Sequence, residues 1–233
     1  MTSPERTIPW DKYAAYREVT AHPAAFGEER FGLDALRKAA QQAEVLFRGW
    51  PFIFFDERFT LSRGTRIEAI IDVSETRGHD YFETWQLWQS GLFFHRALMD
   101  ESTHPEAVKR GKMMDFVMTV YHIGEAVGSL WRLYAALGVE DDERITIEFR
   151  YTDAGGRRIH TLEPSRAPIR TVHPCADDEV TRKKEASLGT WRASDAEIVT
   201  QIAVEVFQRF GWIEPNRDEI SKIAHEFLAK PRF

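Results

Sequence analysis

Cysteine is almost missing from this chain of 233 residues, since Cys175 is the only one. An intrachain disulfide and a cysteine-based zinc site are therefore excluded, which is typical of a protein that folds in a reducing compartment. Asp177 and Asp178 follow closely and would oppose formation of a thiolate at Cys175. Nucleophilic cysteine chemistry is accordingly not expected.

Long hydrophobic runs are also missing. No apolar segment approaches the roughly 18 to 20 residues that a membrane helix needs, and the first residues lack the charged and then apolar pattern of a signal peptide. We therefore expect a cytoplasmic protein without a membrane partner.

Positive charge is in short supply. The chain has 31 Lys and Arg against 37 Asp and Glu, a net charge of −6, which argues against a broad surface for duplex phosphates. A local basic groove remains open. The short basic run at Arg182, Lys183 and Lys184 is more typical of a solvated strand edge that discourages aggregation.

The chain contains none of the strong catalytic motifs that can be recognised by spacing. The patterns G-x-x-x-x-G-K-[ST], G-x-G-x-x-G and G-x-S-x-G are absent, and no spacing of His, Asp and Glu matches a known metal family. We therefore expect no cofactor and no metal, and a non-catalytic role is favoured over an enzyme.

What the chain does have is enough apolar sequence, 43%, to bury a substantial core. Its patterns predict an α+β fold, with a mostly antiparallel sheet in two strand blocks separated by a long helix, and two C-terminal helices. One domain spanning 1–233 is preferred to two lobes, 1–138 and 139–233. The spacing of Trp10, Tyr13 and Arg17 predicts a short helix that ends before Pro23. The other predicted helices are 33–44, 112–137 and two that begin near Ser194 and Asn216. The predicted strands are an edge or bulged strand at 45–55, strands at 59–61 and 66–74, a hairpin joining 145–151 to 157–162, and a strand within 179–191.

The densest aromatic stretch is the segment 81–99, which is predicted to form a β-hairpin. A two-residue loop at Ser90-Gly91 would pair Trp85 with Arg96 and Gln86 with His95, whereas a longer loop would shift these pairs. Exposed rings beside an Arg can stack on single-stranded bases or on a flat ligand. Since rings fall on both faces, at least one face must be core. The predicted binding residues are Trp50, Trp85, Gln86, His95 and Arg96.

Two sets of polar residues provide a catalytic alternative. His122 and Glu125 lie one turn apart on the long helix, and with Ser129 and Arg132 they would line one stripe. Glu68 and Asp72 share one face of a strand and faintly resemble nuclease carboxylates, although the usual lysine is missing. These residues define the alternative of a metal-dependent hydrolase or nuclease.

A resemblance to a known group of proteins covers roughly residues 36–99. The segments Arg48-Gly49-Trp50 and 85–95 (WQLWQSGLFFH) are similar to a region that accompanies Schlafen-type AlbA domains in bacterial proteins. The AlbA-type domain itself is not recognisable. The resemblance implies a bacterial accessory or sensing module in a regulatory or defence setting, and it transfers no catalytic residue.

Together these patterns predict a binding or sensing module that recognises a ligand, a nucleic-acid end or a partner protein. Single-stranded nucleic acid is one candidate partner. A third alternative is a homo-oligomeric scaffold, because Gly124 and Gly128 on the long helix allow another backbone to approach closely.

Overall fold

The computed structural model describes residues 10–25, 27–109, 111–161 and 174–229. It confirms the predicted α+β class, with two strand blocks on either side of a long helix. The strands are β1 (Tyr16–Pro23), β2 (Thr60–Arg63), β3 (Arg66–Asp72), β4 (Phe82–Trp88), β5 (Phe93–Leu98), β6 (Met113–Asp115), β7 (Arg144–Tyr151), β8 (Arg158–His160) and β9 (Val180–Ser187).

The helices include the predicted long helix and the two C-terminal ones. A 3₁₀ turn at Trp10–Lys12 precedes β1. The α-helices are α1 (Leu33–Gln42), α2 (Ser74–Arg77), α3 (Asp100–Thr103), α4 (Pro105–Val108), α5 (Phe116–Ala136), α6 (Leu188–Ala193), α7 (Asp195–Arg209) and α8 (Arg217–Leu228). In the parts of the chain that the structure describes, no helix combines the length and the apolar character needed to cross a bilayer.

One antiparallel sheet dominates the described residues, with the strand order β2-β3-β4-β5-β1-β7-β9. The strand block before α5 and the block after it meet where β1 pairs with β7, so strands from both sides of residue 138 share this sheet. The basic run 182–184 lies on β9, which is an edge strand as predicted.

The two faces of the sheet differ, because side chains alternate along each strand. On the inner face, Ile67, Leu87, Phe93, Ala21 and Ile147 are buried and belong to one apolar core with α1, α5 and α7. The outer face carries polar and aromatic side chains. Among them Glu18, which is 5% exposed, is bound by both Arg96 and Arg150 from the strands that flank β1.

The central strand β1 contradicts the short helix that was predicted to contain Trp10, Tyr13 and Arg17 and to end before Pro23. Only Trp10–Lys12 is helical there, and the chain is extended from Tyr16 onward. The spacing of Trp10, Tyr13 and Arg17 fits one face of a helix, but these residues do not share a face. In the structure Trp10 and Tyr13 cover Phe82 and Leu98, whereas Arg17 lies on the inner face of the sheet.

Two further strand predictions were wrong. The segment 45–55 forms an irregular loop instead of an edge strand. The predicted hairpin of 145–151 with 157–162 does not form, because β1 and β9 occupy both edges of β7. The second arm, β8, pairs in parallel with β6 instead, and the nearly fully buried Arg157 donates to Met113 O over 2.9 Å.

The register of the β4–β5 hairpin differs by one residue from the two-residue-loop prediction. Trp88 N donates to Leu92 O, so the loop holds three residues, and Gly91 adopts the left-handed conformation with φ +86°. Trp85 therefore pairs with His95, and Gln86 pairs with Phe94. A β-carbon at Gly91 would lie 2.9 Å from the Phe31 ring, so glycine is required here for space as well as conformation.

Candidate functional site

A cavity of about 380 Å³ lies between the inner face of the sheet and the layer formed by α5 and the loop 44–56. We call it the inner cavity. Four neighbouring strands, β4, β5, β1 and β7, form its floor. The loop contributes residues 48–52, and α5 contributes Met118, His122 and Glu125.

The floor changes from apolar to polar along the strands. Near the hairpin loop, Leu87, Phe93, Ala21 and Ile147 occupy adjacent positions and are buried in the core. Two steps along, the corresponding row is Trp85, His95, Val19 and Phe149. Another two steps bring Glu83, Ala97, Arg17 and Tyr151 side by side. The polar end of this floor faces the inner cavity through Arg17, Glu83, His95 and Tyr151.

His95 is the most unusual polar group of the site. It is 2% exposed, and neither ring nitrogen has a hydrogen-bond partner among the described residues. Its ring packs against Phe52, with centroids 4.4 Å apart. Burial, with a contribution from the nearby Arg17 charge, lowers the pKa of His95 to about 3. The ring is therefore neutral at physiological pH and offers one N–H donor and one nitrogen acceptor.

Glu83 is a buried carboxyl on the same floor. Trp50 Nε1 donates to Glu83 Oε1 over 3.1 Å, and the Tyr81 hydroxyl donates to Oε2 over 2.9 Å. Burial raises the pKa of Glu83, and these two hydrogen bonds and Arg17 oppose that rise only in part. The Trp50 indole therefore connects the loop directly to the floor.

Arg17 presents a guanidinium with few partners. It donates through Nη1 to Leu98 O over 3.2 Å, and within the described residues no carboxylate forms an ion pair with it. A guanidinium carries five N–H donors and stays charged. Most of the hydrogen-bonding capacity of Arg17 is therefore left for the inner cavity.

Arg48 and Glu125 form the wall opposite the floor. Arg48 Nε and Nη2 donate to Oε1 and Oε2 of Glu125, each over 2.7 Å, in a two-pronged ion pair. The Glu125 side chain is only 7% exposed. This pair fixes the loop to α5, and it occupies both carboxylate oxygens of Glu125.

The loop is held at a third point by Trp85. The Trp85 side chain is fully buried, and its Nε1 donates to Phe54 O over 2.9 Å. Phe54 in turn stacks on Trp50, with ring centroids 4.5 Å apart. Trp85 therefore lies beneath the site as part of its support and does not line the inner cavity.

The predicted binding residues divide between the two faces of the sheet. Trp50 and His95 line the inner cavity, together with His122 and Glu125 from the catalytic alternative. Gln86 and Arg96 lie on the outer face. There Arg96 Nε donates to Glu18 Oε1 over 2.7 Å, and its guanidinium lies 4.5 Å from the Tyr16 ring centroid. The predicted pairs of Trp85 with Arg96 and Gln86 with His95 are therefore wrong.

The carboxylates of the nuclease alternative are engaged elsewhere. Glu68 is paired with both Arg63 and Arg66, and Asp72 accepts a hydrogen bond from Ser74 N. Throughout the described residues there is no group of three or more His, Cys, Asp or Glu side chains arranged to hold a metal ion. Cys175 is buried, and its thiol contacts the carbonyls of Asp177 and Arg209.

Sequence reasoning missed Arg17, Arg48, Tyr81 and Glu83 as site residues. A signal existed for Arg17 and Glu83, because each is a charged residue in a stretch whose alternate positions are apolar. Such a charge on the buried face of a strand needs a partner or a cavity. For Arg48 and Tyr81 we find no comparable signal.

The chain matches no family model, no curated protein and no solved structure.

Proposed function

We propose that this protein is a non-catalytic binding or sensing module that holds a small molecule in the inner cavity. The observation that carries the proposal is His95, a buried imidazole without a hydrogen-bond partner on the floor of that cavity. An unsatisfied buried polar group costs roughly 1 to 3 kcal/mol. A ligand with a matching donor or acceptor would recover that cost.

The size and lining of the inner cavity support the same role. Small-molecule sites are typically clefts of roughly 300 to 1,000 Å³ with aromatic walls and a few convergent polar groups. Trp50 and Phe52 provide the aromatic walls, and Arg17, Glu83 and His95 provide the polar groups.

Binding is favoured over hydrolysis because the candidate catalytic carboxylates are already engaged. Both oxygens of Glu125 accept hydrogen bonds from Arg48, and Glu68 is held between two arginines. Either group would have to break a paired, buried contact before it could act as a base or a metal ligand.

The relation to proteins with Schlafen-type AlbA domains remains a proposal. One observation supports it, because the two similar segments meet at the inner cavity. Trp50 of the first segment and His95 of the second both line the inner cavity.

The test is to identify what the purified protein carries. We expect acid-denatured wild type to release one small molecule in near-stoichiometric amount, seen by mass spectrometry, and the same compound added back to raise the melting temperature. The variant His122→Trp adds bulk at a partly exposed wall position and should lose both effects. The matched control Trp88→Phe, outside the inner cavity, should keep them.

Two results would contradict the proposal. One is a wild-type protein that releases no compound and shows no thermal response to a metabolite library. The other is a response that His122→Trp retains in full.

A further inference from the structure

Deepening the proposed function, on which this inference rests, we propose that the ligand of the inner cavity is a planar ring compound with a single carboxylate. The carboxylate binds Arg17, and the ring lies beside Trp50, Phe52 and His95. The assignment follows from which groups of the site lack partners.

The first step concerns the charges around the inner cavity. Arg48 and Glu125 neutralise each other at 2.7 Å, and Glu83 already accepts two hydrogen bonds. Arg17 forms no ion pair in the described residues. Burial opposes its charge, but the nearby acidic groups of Tyr81, Asp100, Glu101 and Glu125 outweigh this effect and raise the pKa of Arg17. An acid that reaches Arg17 would complete a pair of the kind that Arg48 and Glu125 already make. Planar guanidinium and carboxylate groups match in such two-pronged contacts.

The second step concerns the number of charges on the ligand. Glu83, Asp100 and Glu125 also line the inner cavity, so it is not a strongly cationic site. A dianionic phosphate would be held by one free guanidinium and repelled by the neighbouring acids. A group with a single negative charge is therefore the better fit.

The third step concerns the ring. Two aromatic side chains of the loop, Trp50 and Phe52, line the inner cavity. Trp50 stacks on Phe54, and Phe52 packs against His95. An aromatic lining of this kind favours a flat ring as ligand. The neutral His95 can also donate to or accept from a polar atom on the ring edge, which would satisfy one of its free nitrogens.

The position of Arg17 relative to Glu83 gives the orientation. Both residues pair with Ala97, from opposite sides of β5, so two strand spacings of about 4.8 Å separate their backbones. A carboxylate at Arg17 therefore leaves Glu83 and Trp50 for the opposite end of the ligand.

The experiment is isothermal titration of the 233-residue protein with three matched probes and, as a fourth compound, 2-naphthyl phosphate. Naphthalene-2-carboxylate, its carboxamide and its carboxamidine have the same ring and carry negative, zero and positive charge. We expect the carboxylate to bind at least about tenfold more tightly than the carboxamide, since charged hydrogen bonds contribute that much or more. The carboxamidine should bind most weakly, and 2-naphthyl phosphate should bind less tightly than the carboxylate.

Two arginine variants separate a specific contact from an effect of net charge. Arg17→Met should remove the preference for the carboxylate and leave carboxamide binding within about threefold. Arg96→Met removes an arginine from the outer face of the same sheet and should keep the full preference. Arg17→Lys keeps the positive charge and should retain part of the preference for the carboxylate. This result would show that the loss in Arg17→Met is not caused by misfolding.

The outcomes separate the two proposals. If the carboxamide, the carboxamidine or the phosphate binds as tightly as the carboxylate, the inner cavity is a binding site and the assigned ligand class is wrong. Loss of the preference in Arg96→Met would also overturn it. If none of the probes binds at millimolar concentration, the assigned ligand class is overturned, whereas the binding function is decided by the released compound and the metabolite library.

Discussion

His95 shows how one side chain can connect stability to the candidate site. Its ring is nearly fully buried, and within the described residues its nitrogens contact no hydrogen-bonding group. A position of this kind would favour phenylalanine on packing grounds alone, because the Phe52 contact needs only a ring. The imidazole therefore costs stability, and it supplies hydrogen-bonding groups to the inner cavity.

The pH dependence of folding should show this cost. The pKa of His95 is about 3 in the folded protein against an ordinary value of 6.5, so the unfolded chain takes up the proton first as pH falls. Stability is therefore lost as pH falls from about 6.5 toward 3. We expect His95→Phe to remove this loss, which amounts to roughly 2 kcal/mol between pH 7 and pH 5. Urea unfolding at both pH values measures it.

A matched control for this prediction is available on α8, where His225 is exposed. His225→Phe should keep the wild-type difference between the two pH values. The interpretation fails if His95→Phe also keeps that difference.

Among individual residues, the sequence predicted Trp50, His95, His122 and Glu125 as candidates, and the structure brings these four to one cavity. It did not predict Arg17, because a charge on the buried face of β1 interrupts the apolar alternation that identifies a strand. Deviations of this kind are expected where a residue faces a site and not the core. For this reason neither the strand β1 nor the place of Arg17 in the site was predicted.

Among the elements, α5 is the one that the sequence described best. The helix predicted at 112–137 corresponds to α5, and its end before Gly138 was predicted. Gly124 and Gly128 were predicted to let another backbone approach, but the groups that lie against them are side-chain rings. The close approach is made within the chain, since a β-carbon at Gly124 would lie 2.9 Å from the Phe227 ring and one at Gly128 would lie 2.7 Å from the Phe47 ring. These two glycines therefore give no particular support to the homo-oligomeric alternative.

A double-mutant cycle tests the contact between α5 and α8. Gly124→Leu places a side chain where the Phe227 ring lies, and overpacking of this kind costs about 1 to 3 kcal/mol. We expect that penalty in the wild-type background. In the Phe227→Ala background the leucine should have room, so the penalty should fall by at least about 1 kcal/mol. Denaturant unfolding of the four proteins gives the coupling free energy.

Equal penalties in both backgrounds would show that Phe227 does not limit the space at Gly124. Light scattering of the same four proteins tests separately whether Gly124→Leu changes the oligomeric state.

The strands were harder to predict than the helices, for reasons that lie outside each segment. Whether the β4–β5 loop has two or three residues depends on the left-handed Gly91, and that choice moves His95 from a position opposite Gln86 to one opposite Trp85. Likewise, 145–151 and 158–160 have suitable patterns for a hairpin. The pairing is decided by β1 and β9, which come from distant parts of the sequence.

For the molecule as a whole, the sheet determines how unfolding should proceed. Strands from both sides of residue 138 are joined in one sheet, because β1 from the first block pairs with β7 from the second. The one-domain prediction for 1–233 therefore has a direct test. Denaturant unfolding can be monitored both by tryptophan fluorescence and by far-ultraviolet circular dichroism. We expect the two methods to give coincident transitions.

Two lobes, 1–138 and 139–233, would instead give separate transitions. Val19→Pro provides a useful comparison, because it removes a hydrogen-bond donor from β1, which is paired on both sides. In a one-domain protein this change should shift the unfolding transitions seen by both methods to the same lower denaturant concentration.

The central place of β1 also has a consequence for synthesis on the ribosome. Glu18 and Arg150 are bound to each other although 132 positions separate them along the chain. Synthesis runs from the amino terminus at about 5 to 20 residues per second, so β1 leaves the ribosome many seconds before β7 exists. Until then the floor of the inner cavity lacks Phe149 and Tyr151. A nascent chain therefore carries an incomplete cavity until β7 has left the ribosome and paired with β1.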